Sequence, residues 1–410
     1  MEKLPLAQRT LRIAVVTETY PPELNGVALT VARFVEGLRE LGHGIELIRP
    51  RQGRGDRGGG DPALEEVLVR GMPIPRYPHL KMGLPARRAL ERRWRLRRPD
   101  LVHIVTEGPL GWSALKAASN LAIPVCSDFR TNFHAYSGHY GVGWLKRPVL
   151  AYLRGFHNRT LLTMVPTEAM REELAALGFR NLAVVARGVD VQRFHPARRS
   201  PALREQWGAA PDDLVALYVG RVAAEKNLPL LFSAFAAMRA REPRTRLVVV
   251  GDGPALAGLR VRHPEVVFAG ARSGVELAAH YASADVFLFP SLTETYGNVT
   301  VEAMASGLAV VAYDCAAARA HIASGVNGLL APCGDANAFE AAAAGLAIER
   351  ARIRAVGERA RVAAERLDWE RVVHALEAQL LAVAGAGQAA PHAGLSTPKA
   401  PRPARAYSAV

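Results

Sequence analysis

The feature that most constrains this chain is an alternation of short apolar runs and helix-period stretches, played out twice. Residues 11–18 (LRIAVVTE) form an apolar run of strand length. A turn follows, Tyr20-Pro21-Pro22-Glu23-Leu24-Asn25-Gly26. Val27, Val31, Phe34, Val35, Leu38 and Leu41 then recur at helical spacing until Gly42 stops them, and 45–50 (IELIRP) is the next strand. The unit repeats as 100–107, a helix near 109–120 and 123–129, and again as 161–167, a helix at 168–177 and 181–190. Strand–helix–strand units of this length predict a parallel sheet with right-handed crossovers. Between 194 and 211 the pattern yields to a polar stretch with Pro196, Pro201 and Pro211, read here as an interdomain linker. The alternation then restarts, with strands at 214–220, 246–253, 266–270, 286–291 and 309–313 and helices between them. The expected fold class is α/β: two doubly wound domains, facing each other across a cleft at the C-terminal ends of their strands. The expected boundaries are 1–195 for the first domain and 196–365 for the second. A closing helix at 366–385 is expected to return to the first domain, and an Ala/Gly/Pro-rich tail at 386–410 is read as disordered.

The charge balance asks for an explanation. Lys and Arg number 52 against 38 Asp and Glu, a net charge of +14. Such an excess suits an anionic partner. It is concentrated in three places: 87–98, with seven arginines and one acid (Glu91); the 49–61 segment; and the tail. The 83–99 segment reads as a basic helix with Leu90 and Trp94 four residues apart, either an amphipathic face lying on an anionic membrane or a solvated face. No nucleic-acid recognition motif accompanies the charge. The three cysteines, Cys126, Cys315 and Cys333, are odd in number and widely spaced, which argues against a disulfide framework. The N-terminal residues lack the apolar core of a signal peptide, and no apolar run is long enough to span a bilayer. A cytoplasmic location follows as the expectation, with peripheral attachment to the inner face of a membrane as its extension.

Residues able to carry chemistry cluster behind strand ends. In SLTETYGNVTVEAMASG (291–307), Glu294 falls in a loop and Glu302 in the helix that follows. The first turn of that helix, Gly297-Asn298-Val299-Thr300, offers backbone amides of the kind that bind anions. Amides for phosphate and carboxylates for hydroxyls suit a sugar nucleotide, although spacing alone fits two solvated glutamates equally well. Arg221 ends a strand and Lys226 opens a helix. Two such cations can clamp a diphosphate, or be ordinary surface charge. Gly251-Asp252-Gly253-Pro254 is by itself a turn. His103 and Glu107 sit at and beyond another strand end. His103 reads as a packing residue, Glu107 as a packing or substrate-contacting one.

Taken in order, Asn25-Gly26-Val27, Gly220-Arg221 with Glu225-Lys226-Asn227, GDGP at 251–254, and Glu294 with Glu302 eight residues on, followed by Ala-Ser-Gly, resemble the retaining nucleotide-sugar glycosyltransferases of the GT-B fold (glycosyl transferases group 1). The likeness spans about 11–385. The stretches 17–28, 106–114, 131–136 and 291–298 bring it nearest to bacterial α-mannosyltransferases that use GDP-mannose and act on lipid acceptors. The resemblance implies two Rossmann-like domains and a set of roles. Arg221 and Lys226 would bind the donor diphosphate and Glu294 the transferred sugar. Glu302 would hold the ribose, and the amides of Gly297, Asn298, Val299 and Thr300 would contact sugar and phosphate. Gly26 would let the first domain approach the donor, with Gly253 lining the same site. It implies no catalytic metal, and no Asp-x-Asp occurs. It departs at Arg130, where the family commonly has a histidine that contacts the sugar; His134 lies four residues on. The donor base stays open between GDP-mannose and a UDP-sugar such as UDP-glucose. A sugar-nucleotide epimerase or hydrolase of the same fold, and a non-catalytic binding protein, are the other readings.

Overall fold

The computed structural model describes residues 9–23, 25–53, 55–59, 64–74, 77–130, 146–292, 294 and 296–389. Its strands are β1 (Arg12–Val16), β2 (Gly44–Pro50), β3 (Glu65–Val69), the antiparallel hairpin β4 (Gly71–Ile74) and β5 (Tyr77–Gly83), then β6 (Leu101–Ile104), β7 (Val125–Asp128), β8 (Leu162–Val165) and β9 (Leu182–Val184). The second half supplies β10 (Leu214–Val219), β11 (Thr245–Val250), β12 (Val267–Gly270), β13 (Val286–Phe289), β14 (Ala309–Tyr313) and β15 (Leu329–Ala331). They form two parallel sheets, ordered β3-β2-β1-β6-β7-β8-β9 and β12-β11-β10-β13-β14-β15. In both, strand order reverses beside the first strand, and the loops leaving the two flanking strands open a crevice there. In the first sheet these loops follow β1 and β6; in the second they follow β10 and β13. All six residues of β10 are buried, as expected of a strand covered by helices on both faces.

The chain crosses between the domains twice, and the crossings are tied together. The Val189 amide donates to the Leu367 carbonyl at 2.9 Å, and Val189 pairs with Asp368 in a parallel bridge. The Trp369–Ala389 helix then lies on the first half of the chain. Val372, Val373, Leu376 and Leu380 join the core formed by β1, β2 and the Gly26–Glu40 helix. Trp369 meets Phe34 edge to face, with ring centroids 6.0 Å apart. The His43 Nε2 lies 3.0 Å from Glu377 Oε1.

Several features differ from the sequence expectation. The stretch 196–211 is folded onto the second domain. Pro196 and Pro201 open a 3-10 turn and the Pro201–Gln206 helix, the position where proline costs a helix nothing. Trp207 packs on His280 at 5.5 Å, and the buried Arg204 donates to the Ser283 carbonyl at 2.9 Å and to Asp285 at 3.2 Å. The closing helix continues to Ala389, past its expected end at 385; residues 390–410 lie outside the described residues. In the Arg87–Leu96 helix, Leu90 and Trp94 face the core at 2% and 0% exposure. The Trp94 indole donates to Glu46 Oε2 at 3.0 Å. Arg93 pairs with Glu46 and Glu65, and Arg97 with Glu65. Trp94 is therefore a core residue, and the helix's exposed residues are arginines, Arg88, Arg92 and Arg95 among them, with Ala89 and Leu96. No helix among the described residues is long and apolar enough to cross a membrane.

Candidate active site

The second domain's crevice is built by two loops locked to each other. After β10 the chain makes a short 3-10 turn (Ala224–Lys226), and Asn227, in the left-handed conformation, starts the Leu228–Arg241 helix. The Asn227 side-chain amide donates to the Pro290 carbonyl at 3.3 Å, joining this loop to the one after β13. That junction brings Lys226 Nζ into contact with Glu294 Oε1, which also accepts from Ser291 Oγ at 2.8 Å. Lys226 and Glu294, 68 residues apart in sequence, thus form an ion pair at the crevice mouth. Arg221 stands on the same loop with its side chain 55% exposed, 3.3 Å from Glu225. The loop is held from behind by the GDGP turn. The Val222 amide donates to the Asp252 carbonyl at 2.9 Å, and a Cβ on Gly253 would fall 2.3 Å from the Val222 carbonyl oxygen. Gly253 therefore acts by positioning the Arg221 loop through close backbone contact.

Gly297 has φ +88°, a left-handed turn that glycine adopts without strain, and it starts the Asn298–Ala305 helix. The Thr300 amide is already bonded to the Gly297 carbonyl at 3.0 Å, and Thr300 is 1% exposed. The amides of the residues just before it are the ones a ligand would meet. One turn on, Glu302 accepts from the Tyr281 hydroxyl at 2.9 Å. Burial of its carboxyl pushes the pKa up to about 7, against the lowering effect of that hydrogen bond and of Arg193.

The first domain presents its own crevice opposite. Asn25 caps the Gly26–Glu40 helix, its Oδ1 accepting from the Val27 and Ala28 amides at 3.1 and 2.8 Å. At Gly26 a Cβ would stand 3.1 Å from Arg187 Nη1 and 3.7 Å from Asn298 Nδ2, so here the two domains meet around glycine. Arg187 spans the gap, with Nη1 donating to Asn298 Oδ1 at 3.4 Å and its guanidinium 5.7 Å from the Tyr296 ring. Arg130 is buried. Its Nε donates to Asp128 Oδ2 at 2.7 Å and its guanidinium stacks on Phe34 at 4.9 Å. The other Asp128 oxygen lies 3.1 Å from His103 Nε2. Although burial opposes ionisation, Arg130 and His103 bring the Asp128 pKa down to about 2. His103 is a packing residue in this triad. His134 lies outside the described residues.

Two carboxylates flank the first crevice. Glu18, just beyond β1, accepts from the Leu110 amide at 3.1 Å, and its carboxylate fills the space a Cβ on Gly108 would need. Glu107 is 6% exposed. Burial raises both pKa values to about 7, with the charges of Glu18 and Asp128 adding to the rise at Glu107. Sequence reading missed Glu18, Asp128, Arg187 and Tyr281 as site residues. The one local signal was position, since Glu18 and Asp128 lie at the C-terminal ends of strands.

Comparison with known proteins agrees with this geometry. Residues 213–348 match the model of the glycosyl transferases group 1, and residues 24–193 match that of glycosyltransferase family 4. The chain belongs to this family of glycosyltransferases and has its GT-B fold of two facing Rossmann-like domains. It is 38% identical over 329 residues to a GDP-mannose-dependent α-mannosyltransferase of Mycobacterium tuberculosis, covering 79% of this chain and 85% of that one. It is 28% identical to the α-monoglucosyldiacylglycerol synthase of Acholeplasma laidlawii, covering 78% and 84%. Among solved structures, sucrose-phosphate synthase from Thermosynechococcus elongatus superposes with TM-score 0.73 at 20% identity, over 91% of this chain and all of that one. That last likeness concerns the fold alone.

Proposed function

We propose that this glycosyltransferase moves mannose from GDP-mannose to a lipid or glycolipid acceptor with retention of anomeric configuration, at the cytoplasmic face of a membrane. The observation that carries the reading is the Lys226–Glu294 pair at the crevice mouth with Arg221 on the same loop. A cation pair for the diphosphate and a carboxylate for sugar hydroxyls stand side by side. The donor base and sugar rest on likeness to the mannosyltransferases. The lipid acceptor rests on likeness to the diacylglycerol glycosyltransferase and on the arginines left exposed on the Arg87–Leu96 helix.

In this reading the donor diphosphate draws Lys226 away from Glu294, and Glu294 takes a hydroxyl of the sugar. The bond from the anomeric carbon to the β-phosphate oxygen breaks while the acceptor hydroxyl oxygen bonds to the same face of that carbon. The acceptor's proton passes to the departing phosphate oxygen. Arg221 and Lys226 stabilise the charge that develops there, so the site needs neither a carboxylate nucleophile nor a metal. Closure of the two crevices around Gly26 and Asn298 excludes water from the donor.

A thermal-shift series with GDP, GDP-mannose, UDP and UDP-glucose tests the donor. Stabilisation by the guanosine compounds alone is expected, and stabilisation by the uridine compounds alone would overturn it. The anomeric coupling of the purified product tests retention, and unchanged rates in EDTA test independence of metal. Free or epimerised sugar from donor alone would instead indicate a hydrolase or epimerase.

A further inference from the structure

Two arginines of the cleft are only partly paired by the described residues around them. Arg130 and Arg187 are 2% and 5% exposed. Among the described residues, Nη1 and Nη2 of Arg130 and Nε of Arg187 are buried without a hydrogen-bond partner. Buried guanidinium nitrogens are ordinarily satisfied, because leaving them unpaired forfeits solvation without compensation. Asp128 answers Arg130 through Nε alone. Arg187 has a neutral amide oxygen at 3.4 Å and an aromatic face. The two cations also feel each other: burial, and then the charge on Arg130, lower the Arg187 pKa to about 10.

Their place in the cleft is specific. Arg187 reaches from the crossing segment to Gly26 on one side and Asn298 on the other. Glu294, in contact with Lys226, also acts on Arg187 electrostatically. Glu294, the carboxylate assigned to the transferred sugar, thus touches Lys226, with Arg221 on the same loop, and lies within electrostatic reach of Arg187, which in turn feels Arg130.

We propose that Arg130 and Arg187 form an oxyanion site of their own in the cleft, occupied by a negatively charged group that one of the two substrates carries beside the reacting sugar. This rests on the glycosyltransferase reading given above. The unpaired Nη1 and Nη2 edge of Arg130 suits the two oxygens of a carboxylate or phosphate. The charge has two sources, an acidic sugar on the donor or an acidic headgroup on the acceptor.

Initial transfer rates by the full chain distinguish them. In the donor arm, the nucleotide hexose that stabilises the protein is compared with its C6-carboxylate analogue: GDP-mannose with GDP-mannuronate, or UDP-glucose with UDP-glucuronate. In the acceptor arm, glucosyldiacylglycerol is compared with glucuronosyldiacylglycerol and with phosphatidylinositol, all in neutral detergent. An anionic substrate is expected to win by at least about tenfold in kcat/KM in one arm, and that arm names the source. Arg187→Gln is expected to abolish the preference, costing the anionic substrate at least about tenfold more in kcat/KM than the neutral one, and Arg187→Lys to keep part of it. Neutral substrates equal or better in both arms of the wild type would overturn the site, whatever the variants do. An equal loss on charged and neutral substrates in a folded Arg187→Gln protein would show that Arg187 only braces the crossing segment. Absence of transfer from any donor to any acceptor would fail the transferase reading itself.

Discussion

Glu302 offers a test of the donor site that depends on neither the base nor the sugar, because every nucleotide sugar carries the same ribose. Its carboxyl is buried beside Tyr281, and burial raises its pKa to about 7 in the free protein. In the role assigned to it, Glu302 accepts hydrogen bonds from ribose hydroxyls, which favours the ionised form. Donor binding must then expel a proton wherever the free carboxyl is protonated. The apparent dissociation constant scales as one plus the ratio of protonated to ionised carboxyl, so affinity weakens by about tenfold between pH 8 and pH 6 for a pKa of 7. Calorimetry with GDP-mannose in buffers of different ionisation enthalpy should find close to one proton released at pH 6 and almost none at pH 8. Glu302→Gln should bind more weakly at pH 8 and show no such slope. The same group acts on stability in the same range. Its folded pKa lies above the usual carboxylate value of 4.5, so its contribution is fully present below pH 4.5 and is lost as pH rises from there through 7. The loss amounts to about 3 kcal/mol at 1.36 kcal/mol per unit. Glu302→Gln should remove that decline. Donor affinity independent of pH from 6 to 8 in the wild type, or an unchanged slope in Glu302→Gln, would refute the ribose assignment.

The other expectations are more direct. Arg221→Ala and Lys226→Ala should each cost about 3 kcal/mol of transition-state stabilisation, a fall of roughly two orders of magnitude in kcat; near-normal single-turnover rates would remove them from the mechanism. Neutralising Arg88, Arg92 and Arg95 together should weaken sedimentation with anionic vesicles by about 1 kcal/mol per residue at low salt. Trp94→Phe should leave vesicle binding unchanged and lower stability by about 1–2 kcal/mol through loss of its bond to Glu46. Gly188→Ala would place a methyl group 2.5 Å from the Trp369 ring where the crossings run together. It should destabilise the protein by about 1–3 kcal/mol in urea titrations.

The alternation that organises this chain was legible because parallel strands covered on both faces are continuous apolar runs, and β10, β11, β13 and β14 are of that kind. The strands that escaped notice break the rule for physical reasons. β3 is a sheet edge, half-buried along its whole length, and carries Glu65 and Glu66. Those acids pair with Arg93, Arg97 and Arg49 from other elements, a requirement that no local pattern reveals. The prolines at 196 and 201 look like linker residues in sequence because proline marks helix starts and loops alike. The residues proposed for the donor site were legible as motifs, yet the Lys226–Glu294 contact spans 68 residues and joins two loops that the Asn227–Pro290 hydrogen bond also ties together.

Charge shows most clearly what a sequence count conceals. The arginine excess at 87–98 suggested one basic surface. In the structure its apolar partner Trp94 faces inward, Arg93 and Arg97 are consumed by Glu46 and Glu65, and Arg98 caps the carbonyls of Leu121 and Ala122 at 2.7 and 2.9 Å. A similar neutralisation occurs at 49–61, where Arg49 is clamped between Asp56 and Glu66. Two of the most deeply buried arginines, by contrast, stand in no basic run. Arg130 and Arg187 are isolated in sequence, buried in the cleft and short of acceptors. A surface cation without a partner keeps its water and demands nothing. A buried one is tolerated where something else completes it. Arg130 and Arg187 therefore join Arg221 and Lys226 as the cations to test in the cleft, while the run of seven keeps only its exposed arginines, Arg88, Arg92 and Arg95 among them, for a surface.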